Sequence, residues 1–169
     1  RPAMIRILAL LLICGLSASA QKPTFTVGWS IYAGWTPYYY LNKSGILRKW
    51  ADKYNVTIKV QRFDYAPSLD AFVAKNIDAC AMTNMEALDM PAAAGIDTTA
   101  IITGDYSNGN DGIVMKTGKS VADLKGQTIN LVELSVSHYL LARALELNGM
   151  KLADVKTVNT SDADIVGPF

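Results

Sequence analysis

The sequence is poor in the residues that carry metal and nucleophilic chemistry. Its 169 residues include one His and two Cys, and they contain no G-x-G-x-x-G, no phosphate-binding P-loop and no Cys/His metal spacing. A lone histidine makes no metal site and, without a partnering Ser/Asp arrangement, no catalytic triad. We therefore predict no metal and no cofactor, and we assign no catalytic residue.

An excess of charge of one sign is also missing. There are 16 Lys+Arg against 15 Asp+Glu, which gives a formal net charge of +1. Such a balance offers phosphate backbones no broad basic face, so a nucleic-acid partner is not expected. Half of the residues are apolar and 18% are charged, as in a globular protein of about one domain of ordinary size.

The N-terminal apolar run is too short for a membrane helix, which needs about 20 apolar residues. Residues 1–20 instead have the parts of a secretory signal peptide. Arg6 follows Met4, the expected initiator, residues 7–14 are apolar, and the small residues before Gln21 form an A-x-A cleavage site. We expect cleavage before Gln21 and a periplasmic location.

Cleavage would leave a nearly neutral chain with one cysteine. Without Arg1 and Arg6, 14 of the 16 basic residues remain against 15 acidic ones, a formal charge of −1. Cys14 lies inside the apolar run, which disfavours lipidation. One cysteine forms no internal disulfide, so the fold must depend on its apolar core. Cys80 is expected to be a small buried residue of a strand rather than a reactive thiol.

The remaining chain alternates strand and helix patterns. Strands are predicted at 24–29, 56–60, 77–82, 98–103, 113–115, 127–132 and 155–158. Helices are predicted at 36–54, 67–75, 84–94 and 135–148, with one helical turn at 120–126. This rhythm predicts parallel strands with helices on both faces of the sheet. A polar, turn-rich segment divides the pattern into a first α/β lobe at 21–112 and a partial second lobe at 113–169.

The loops after the predicted strands carry the candidate site, because ligands of open α/β sheets bind beyond the carboxyl ends of the strands. The first-lobe candidates are aromatic, hydroxyl, amide or acidic: Ser30, Tyr32, Trp35, Tyr65, Thr83, Asn84 and Asp105. Packing would explain Trp35 equally well. Capping of the next helix would likewise explain Thr83 and Asn84.

The second-lobe candidates lie where a predicted strand leads into a helix. They are Ser135, Ser137 and His138, with the neighbouring backbone amides as donors. Helix capping is an equally good explanation of the two serines, and His138 could be a hydrogen-bonded bystander.

Acidic and aromatic side chains outnumber basic ones in these loops. The aromatic residues are Tyr32, Trp35, Tyr65 and Tyr106, the acids are Asp64, Asp105 and Glu133, and the nearby base is Arg62. Aromatic faces with carboxylates suit an amine, guanidinium or amidine. The loops thus favour a neutral or cationic nitrogenous solute over a sulfonate.

An ordered set of short motifs resembles a known family. The motifs lie at 28–29, 34–39, 45–47, 78–83, 112–114, 121–127 and 135–141. Over roughly residues 24–166 the chain is similar to the periplasmic solute-binding proteins of nitrate/sulfonate/taurine-type ABC transporters and to the related thiamine-precursor-binding group. In that family the Val-x-Asp-Leu-Lys-Gly turn, here 121–126, marks entry into the second lobe. The stretch ending His-Tyr-Leu-Leu, here at 138–141, opens a helix that faces the ligand.

The resemblance implies a type II periplasmic binding-protein-like fold with two three-layer α/β lobes that close on a small-molecule solute. It also implies a monomer that docks on an ABC transporter membrane permease and is not an enzyme. Family members have longer chains, so the second lobe is expected to be incomplete.

Two other functions stay open. A pyrimidine-precursor synthase of the thiamine pathway shares the fold by resemblance, although its reactive site would be rich in histidine and cysteine. A sensory ligand-binding domain of a membrane receptor is the other, although residues after 166 resemble neither a linker nor a span.

Overall fold

The computed structural model describes residues 21–109 and 111–169. The predicted signal peptide, residues 1–20, lies outside the described residues. The strands are β1 (Thr24–Trp29), β2 (Thr57–Arg62), β3 (Ala79–Cys80), β4 (Thr128–Leu131) and β5 (Lys156–Asn159). The helices are α1 (Thr36–Lys43), α2 (Ile46–Lys53), α3 (Tyr65–Val73), α4 (Asn84–Ala87) and α5 (Val136–Leu147). A π-turn at Leu88–Ala92 continues α4, and single 3-10 turns lie at Ala33–Trp35, Val121–Leu124 and Leu152–Asp154.

The first unit, residues 24–95, is built on a parallel three-stranded sheet in the order β2-β1-β3. The β1–β2 register runs from Thr24 opposite Thr57 to Trp29 opposite Arg62. All three strands therefore end at one edge, and the loops that leave this edge open the helices above it. The buried residues of this unit include Trp29, Ala51, Tyr65, Leu69, Ile77 and Ala81.

The second unit, residues 121–169, contains the parallel pair β4–β5. Its core consists of the buried leucines Leu124, Leu131, Leu141 and Leu145. The amphipathic pattern correctly predicted α5, which ends before Gly149, a glycine with a left-handed φ of 71°. The predicted strands at 127–132 and 155–158 are confirmed as β4 and β5 with small shifts in their ends.

The long helix predicted over 36–54 is two helices. Gly45 lies between α1 and α2 with a φ of 77°, a left-handed conformation that breaks the helical hydrogen-bond pattern. The apolar spacing continues across the break, which is why periodicity alone predicted one helix.

The strands predicted at 98–103 and 113–115 are wrong. Both segments are irregular, and neither pairs with a strand in the described part of the chain. Ile101 is 78% exposed. A β-branched pattern describes a side-chain preference, and a strand also needs a neighbouring backbone to hydrogen-bond with.

The strand predicted over 77–82 is shorter, because ladder pairing with β1 is confined to Ala79 and Cys80. As predicted, Cys80 belongs to a strand, where it is half-buried with its Sγ 3.4 Å from the Ser68 hydroxyl. Burial raises the pKa of the Cys80 thiol, so it is a poor nucleophile. None of the helices in the described ranges is long and apolar enough to cross a membrane.

Candidate functional site

Three aromatic side chains meet where β1 and β2 end. The loop after β1 forms a 3-10 turn and enters α1, which places Trp35 between two tyrosines. The Trp35 ring centroid lies 5.0 Å from that of Tyr32 and 5.2 Å from that of Tyr65, in tilted arrangements typical of favourable ring pairs. We call Tyr32, Trp35 and Tyr65 the aromatic cluster. Trp35 and Tyr32 are half-buried, so part of each ring faces solvent.

Ser30, in the same loop, has a buried hydroxyl without a partner. It is 1% exposed, and its Oγ makes no hydrogen bond within the described residues. Burying an unpaired hydroxyl costs about 1–3 kcal/mol on the scale of protein mutations. The unsatisfied group lies at the carboxyl end of β1, where the fold places ligands.

Tyr65 and Thr83 connect the aromatic cluster to the start of α4. The Thr83 backbone N–H donates to the Tyr65 phenol oxygen at 3.1 Å, and the Thr83 hydroxyl donates to the Glu86 carboxylate. Burial, opposed by the Thr83 amide and assisted by the nearby Glu86 carboxylate, raises the pKa of Tyr65 well above its ordinary value. The Tyr65 phenol is therefore a neutral hydrogen-bonding group at neutral pH.

Two hydrogen bonds cross from this edge to the second unit. The Val136 backbone N–H, at the start of α5, donates to Glu86 Oε1 at 2.9 Å. The Tyr65 backbone N–H donates to Asp162 Oδ1 at 3.3 Å. The site-bearing loops of the two units therefore face each other.

The second-unit loop bonds mainly to itself. The buried Ser135 hydroxyl donates to the Val132 carbonyl at 2.6 Å and accepts the Ser137 backbone N–H at 3.1 Å, which makes it the N-cap of α5. His138 Nδ1 accepts the Leu134 N–H at 3.2 Å, and Leu134 has a left-handed φ of 59° that is strained for a leucine. The capping explanation therefore accounts for Ser135, while the Ser137 side chain is exposed.

An open pocket of about 330 Å³ lies between α4 with its π-turn and α5. Its lining residues are Met85, Asp89, Leu134, Ser135, His138, Tyr139, Ala142 and Leu152. Ser135 and His138, two of the sequence-predicted residues, thus face a space that both units share.

Asp105 lies against the loop that carries the aromatic cluster. A side chain at position 34 would collide with the Asp105 carboxylate in its present position, so the close approach of Asp105 to this loop depends on Gly34. The prediction placed Asp105 after a strand that does not form. Asp105 instead lies in an irregular segment that passes close to the loop after β1 and places the carboxylate beside Gly34.

The structure does not bring every predicted residue to these contacts. Asn84 is exposed on the first turn of α4, and Tyr106 is 83% exposed with no ring contact to the aromatic cluster. Glu133 is tied to the end of β5, since its Oε1 accepts the Thr157 hydroxyl and its N–H donates to Asn159. Within the described ranges, no group of three or more His, Cys, Asp or Glu is placed to hold a metal ion.

Sequence reasoning missed Glu86 and Asp162, the two acids that bridge the units. A signal for Glu86 was available, because Thr83 and Glu86 have the spacing of a capping box. In the structure the two side chains bond to each other, and the Glu86 carboxylate extends to the second unit. No comparable pattern marks Asp162, whose contact depends on long-range folding.

Residues 55–169 match the model of a protein family described as NMT1/THI5 like. No curated protein matches the chain. Among solved structures, the alkanesulfonate-binding protein SsuA from Xanthomonas axonopodis pv. citri, bound to MOPS, has a TM-score of 0.64 at 19% identity, covering 88% of this chain and 51% of that one. The periplasmic aliphatic sulphonate binding protein SsuA from Escherichia coli has a TM-score of 0.56 at 25% identity, covering 87% of this chain and 50% of that one.

The chain spans about half the length of these two structures. The likeness confirms the predicted fold class, an α/β fold like that of the type II periplasmic binding proteins. The first unit supplies the three-stranded sheet of that fold, and the second unit supplies the β4–β5 pair with α5.

Proposed function

Because the chain belongs to the NMT1/THI5-like family, we propose that it is the solute-binding component of an ABC importer. It captures a small solute between its two units and presents it to a membrane permease. The observation that carries this proposal is the buried, unpaired Ser30 hydroxyl in the loop of the aromatic cluster. A polar group left unsatisfied at the carboxyl edge of a sheet is one that a bound solute can satisfy.

The proposal divides the chain into a first lobe at 21–112 and part of a second lobe at 113–169. Binding is reversible and closes the lobes over the solute, as in other hinge-bending binding proteins. The protein acts as a monomer in the periplasm and reaches it through the predicted signal peptide at 1–20. The Escherichia coli protein of similar fold is itself described as periplasmic, which supports this location.

Recognition is assigned mainly to the first lobe. The rings of Tyr32, Trp35 and Tyr65 cover the solute, and the hydroxyls of Ser30 and Thr83 orient its polar groups. The remaining candidates complete the rim of the site: Asn84, Asp105, Ser135, Ser137 and His138.

We propose a neutral or cationic nitrogenous solute. The two neighbours of similar fold are described as binding sulfonates, whereas the Trp35 ring at the centre of the aromatic cluster packs against the rings of Tyr32 and Tyr65. Aromatic faces with the Asp105 carboxylate nearby suit an ammonium or guanidinium group through cation–π attraction and charge-assisted hydrogen bonds. The role is binding without chemical conversion.

A thermal-shift screen against sulfonates, nitrate, pyrimidines, guanidines and amines tests this function. A solute that binds only the folded protein adds about 2.7 kcal/mol of stability at 100 times its Kd. We expect one chemical class to raise Tm in a saturable way, and Ser30→Ala to reduce that rise. Chemical turnover of the stabilising compound, or no stabilisation by any class, would contradict the proposal.

A further inference from the structure

Glu86 is a buried carboxylate held by neutral partners. Its exposed fraction is 0%, and it is the one acidic or basic residue that is buried in the described part of the chain. Its oxygens accept the Val136 N–H and the Thr83 hydroxyl, and no ion pair of the described residues includes it. A buried charge is costly unless it is paired. The chain thus satisfies the hydrogen bonding of Glu86 without supplying a positive charge.

The position of Glu86 matters because Val136 is the first residue of the 12-residue helix α5. The N–H groups of a first helical turn have no partner inside the helix and carry partial positive charge. An oxyanion of a solute would use such donors. Here the Glu86 carboxylate of the first unit accepts the Val136 N–H, and the Ser135 hydroxyl accepts the Ser137 N–H.

We infer that Glu86 is a specificity-determining residue that keeps oxyanions away from the start of α5 and favours a cationic solute. An approaching sulfonate or sulfate meets the oxygens of the Glu86 carboxyl group and an amide that is already in use. A cation between the units supplies the positive charge that Glu86 lacks. This inference rests on the proposed solute-binding function and assigns the choice of solute charge to one side chain.

The contact can be removed from either side. Glu86→Ala frees the Val136 amide, and Glu86→Gln removes the charge at nearly constant shape. Val136→Pro deletes the donor, and proline is well accepted at the first position of a helix. The preceding Ser135 is extended, with ψ of 176°, as a residue before proline should be. Val136→Ala is the matched control, since it trims the side chain and keeps the N–H.

The measurement is calorimetric titration with two probes, methanesulfonate and guanidinium at millimolar concentration. We expect Glu86→Ala to bind methanesulfonate about tenfold or more tightly than the unmodified protein, the effect of one hydrogen bond to a charged group. Adding Val136→Pro to Glu86→Ala should abolish this gain, and adding Val136→Ala should keep it. Guanidinium binding should weaken in Glu86→Gln.

Tight methanesulfonate binding by the unmodified protein, equal to that of Glu86→Ala, would overturn the inference while leaving solute capture intact. A gain that survives Val136→Pro would also overturn it. If Glu86→Ala does not fold by circular dichroism, the guanidinium titration of Glu86→Gln decides instead, and unchanged guanidinium affinity in that variant would overturn the inference. Failure of the proposed function gives a different result, in which no compound of the wider screen binds the unmodified protein.

Discussion

The two units treat the polar groups at their facing loops in opposite ways. In the first unit, the Ser30 hydroxyl is buried without a partner among the described residues, and the Tyr32 and Trp35 rings are only half-buried. In the second unit, the Ser135 hydroxyl both donates and accepts a hydrogen bond within its own loop, and His138 Nδ1 accepts the Leu134 N–H. Unused hydrogen-bonding capacity is thus concentrated in the first unit. This contrast is why we assign recognition to the first unit and support of the opposing wall to the second.

The cores differ as well. The second unit depends on four buried leucines from three elements, the 3-10 turn at Val121–Leu124, β4 and α5, and the first unit mixes aromatic with small residues. The core of the second unit is therefore small. Truncating one of its leucines should lower the free energy of unfolding and leave solute affinity unchanged.

The largest expected effect is that of Leu145→Ala. Leu145 is fully buried in the leucine core, so its truncation should lower the free energy of unfolding by about 2–5 kcal/mol. Leu147→Ala, at the 74% exposed end of the same helix, is the matched control and should change it by under about 0.5 kcal/mol. Chemical denaturation measures both, and equal effects would show that the leucine core does not carry the second unit.

Trp35→Ala should act on binding instead of stability. Removing the central ring of the aromatic cluster should weaken solute binding by about 1–3 kcal/mol, as for other aromatic anchors. Trp50→Ala, on the exposed side of α2, removes the same side chain away from the cluster and should leave affinity unchanged. A large fall in Tm with unchanged affinity would make Trp35 a packing residue and erase the contrast between the units.

Ser135→Ala should have a smaller effect, and mainly on stability, because the rim residue Ser135 already uses its hydroxyl as the N-cap of α5. Loss of the N-cap of α5 should cost about 0.5–2 kcal/mol. Ser137→Ala leaves the backbone N–H in place and should be nearly neutral. Thermal unfolding compares the two variants. A strong loss of solute affinity in Ser135→Ala with unchanged Tm would instead make its hydroxyl a direct ligand contact.

The parts of the fold that follow from local chemistry were predictable from sequence. The α5 helix has an apolar stripe, a serine cap and a closing glycine, and β1 with β2 shows β-rich patterning. Segment 98–103 has an equally β-branched composition and is irregular, because strand formation depends on a partner that local sequence does not specify.

The candidate site was predictable to the extent that it follows the sheet edge. The rule for open α/β sheets located Ser30, Trp35 and Thr83 in the loops after β1 and β3. It could not locate Glu86, which lies within the first turn of α4 and is connected to the other unit by a hydrogen bond from the Val136 N–H. Contacts between units depend on how the two sheets are oriented, and no local pattern records that orientation.

The smallest expected effect concerns acid stability at the entrance to the second unit. The Asp123 carboxylate accepts hydrogen bonds from the Lys119 and Ser120 amides and the Ser120 hydroxyl, each at 2.9 Å. These bonds hold the pKa of Asp123 below its ordinary value. A carboxyl group whose pKa is lower in the folded state stabilises the fold at pH values above its ordinary pKa. This stabilisation is lost as the pH falls through the pKa of the folded state.

Asp123→Asn should therefore remove part of the fall in Tm that the unmodified protein shows below about pH 4. Thermal unfolding across this range measures the difference between the two proteins. Parallel Tm profiles would show that the exposed turn contributes nothing to acid sensitivity.

The central claim is that a solute binds at the facing edges, recognised by the first unit. Amide hydrogen exchange with and without the best solute from the screen tests this most directly. We predict solute-dependent protection at residues 30–35 and 83–86, with weaker protection at 132–138. Protection confined to other segments, or exchange that does not change at saturating solute, would contradict the account.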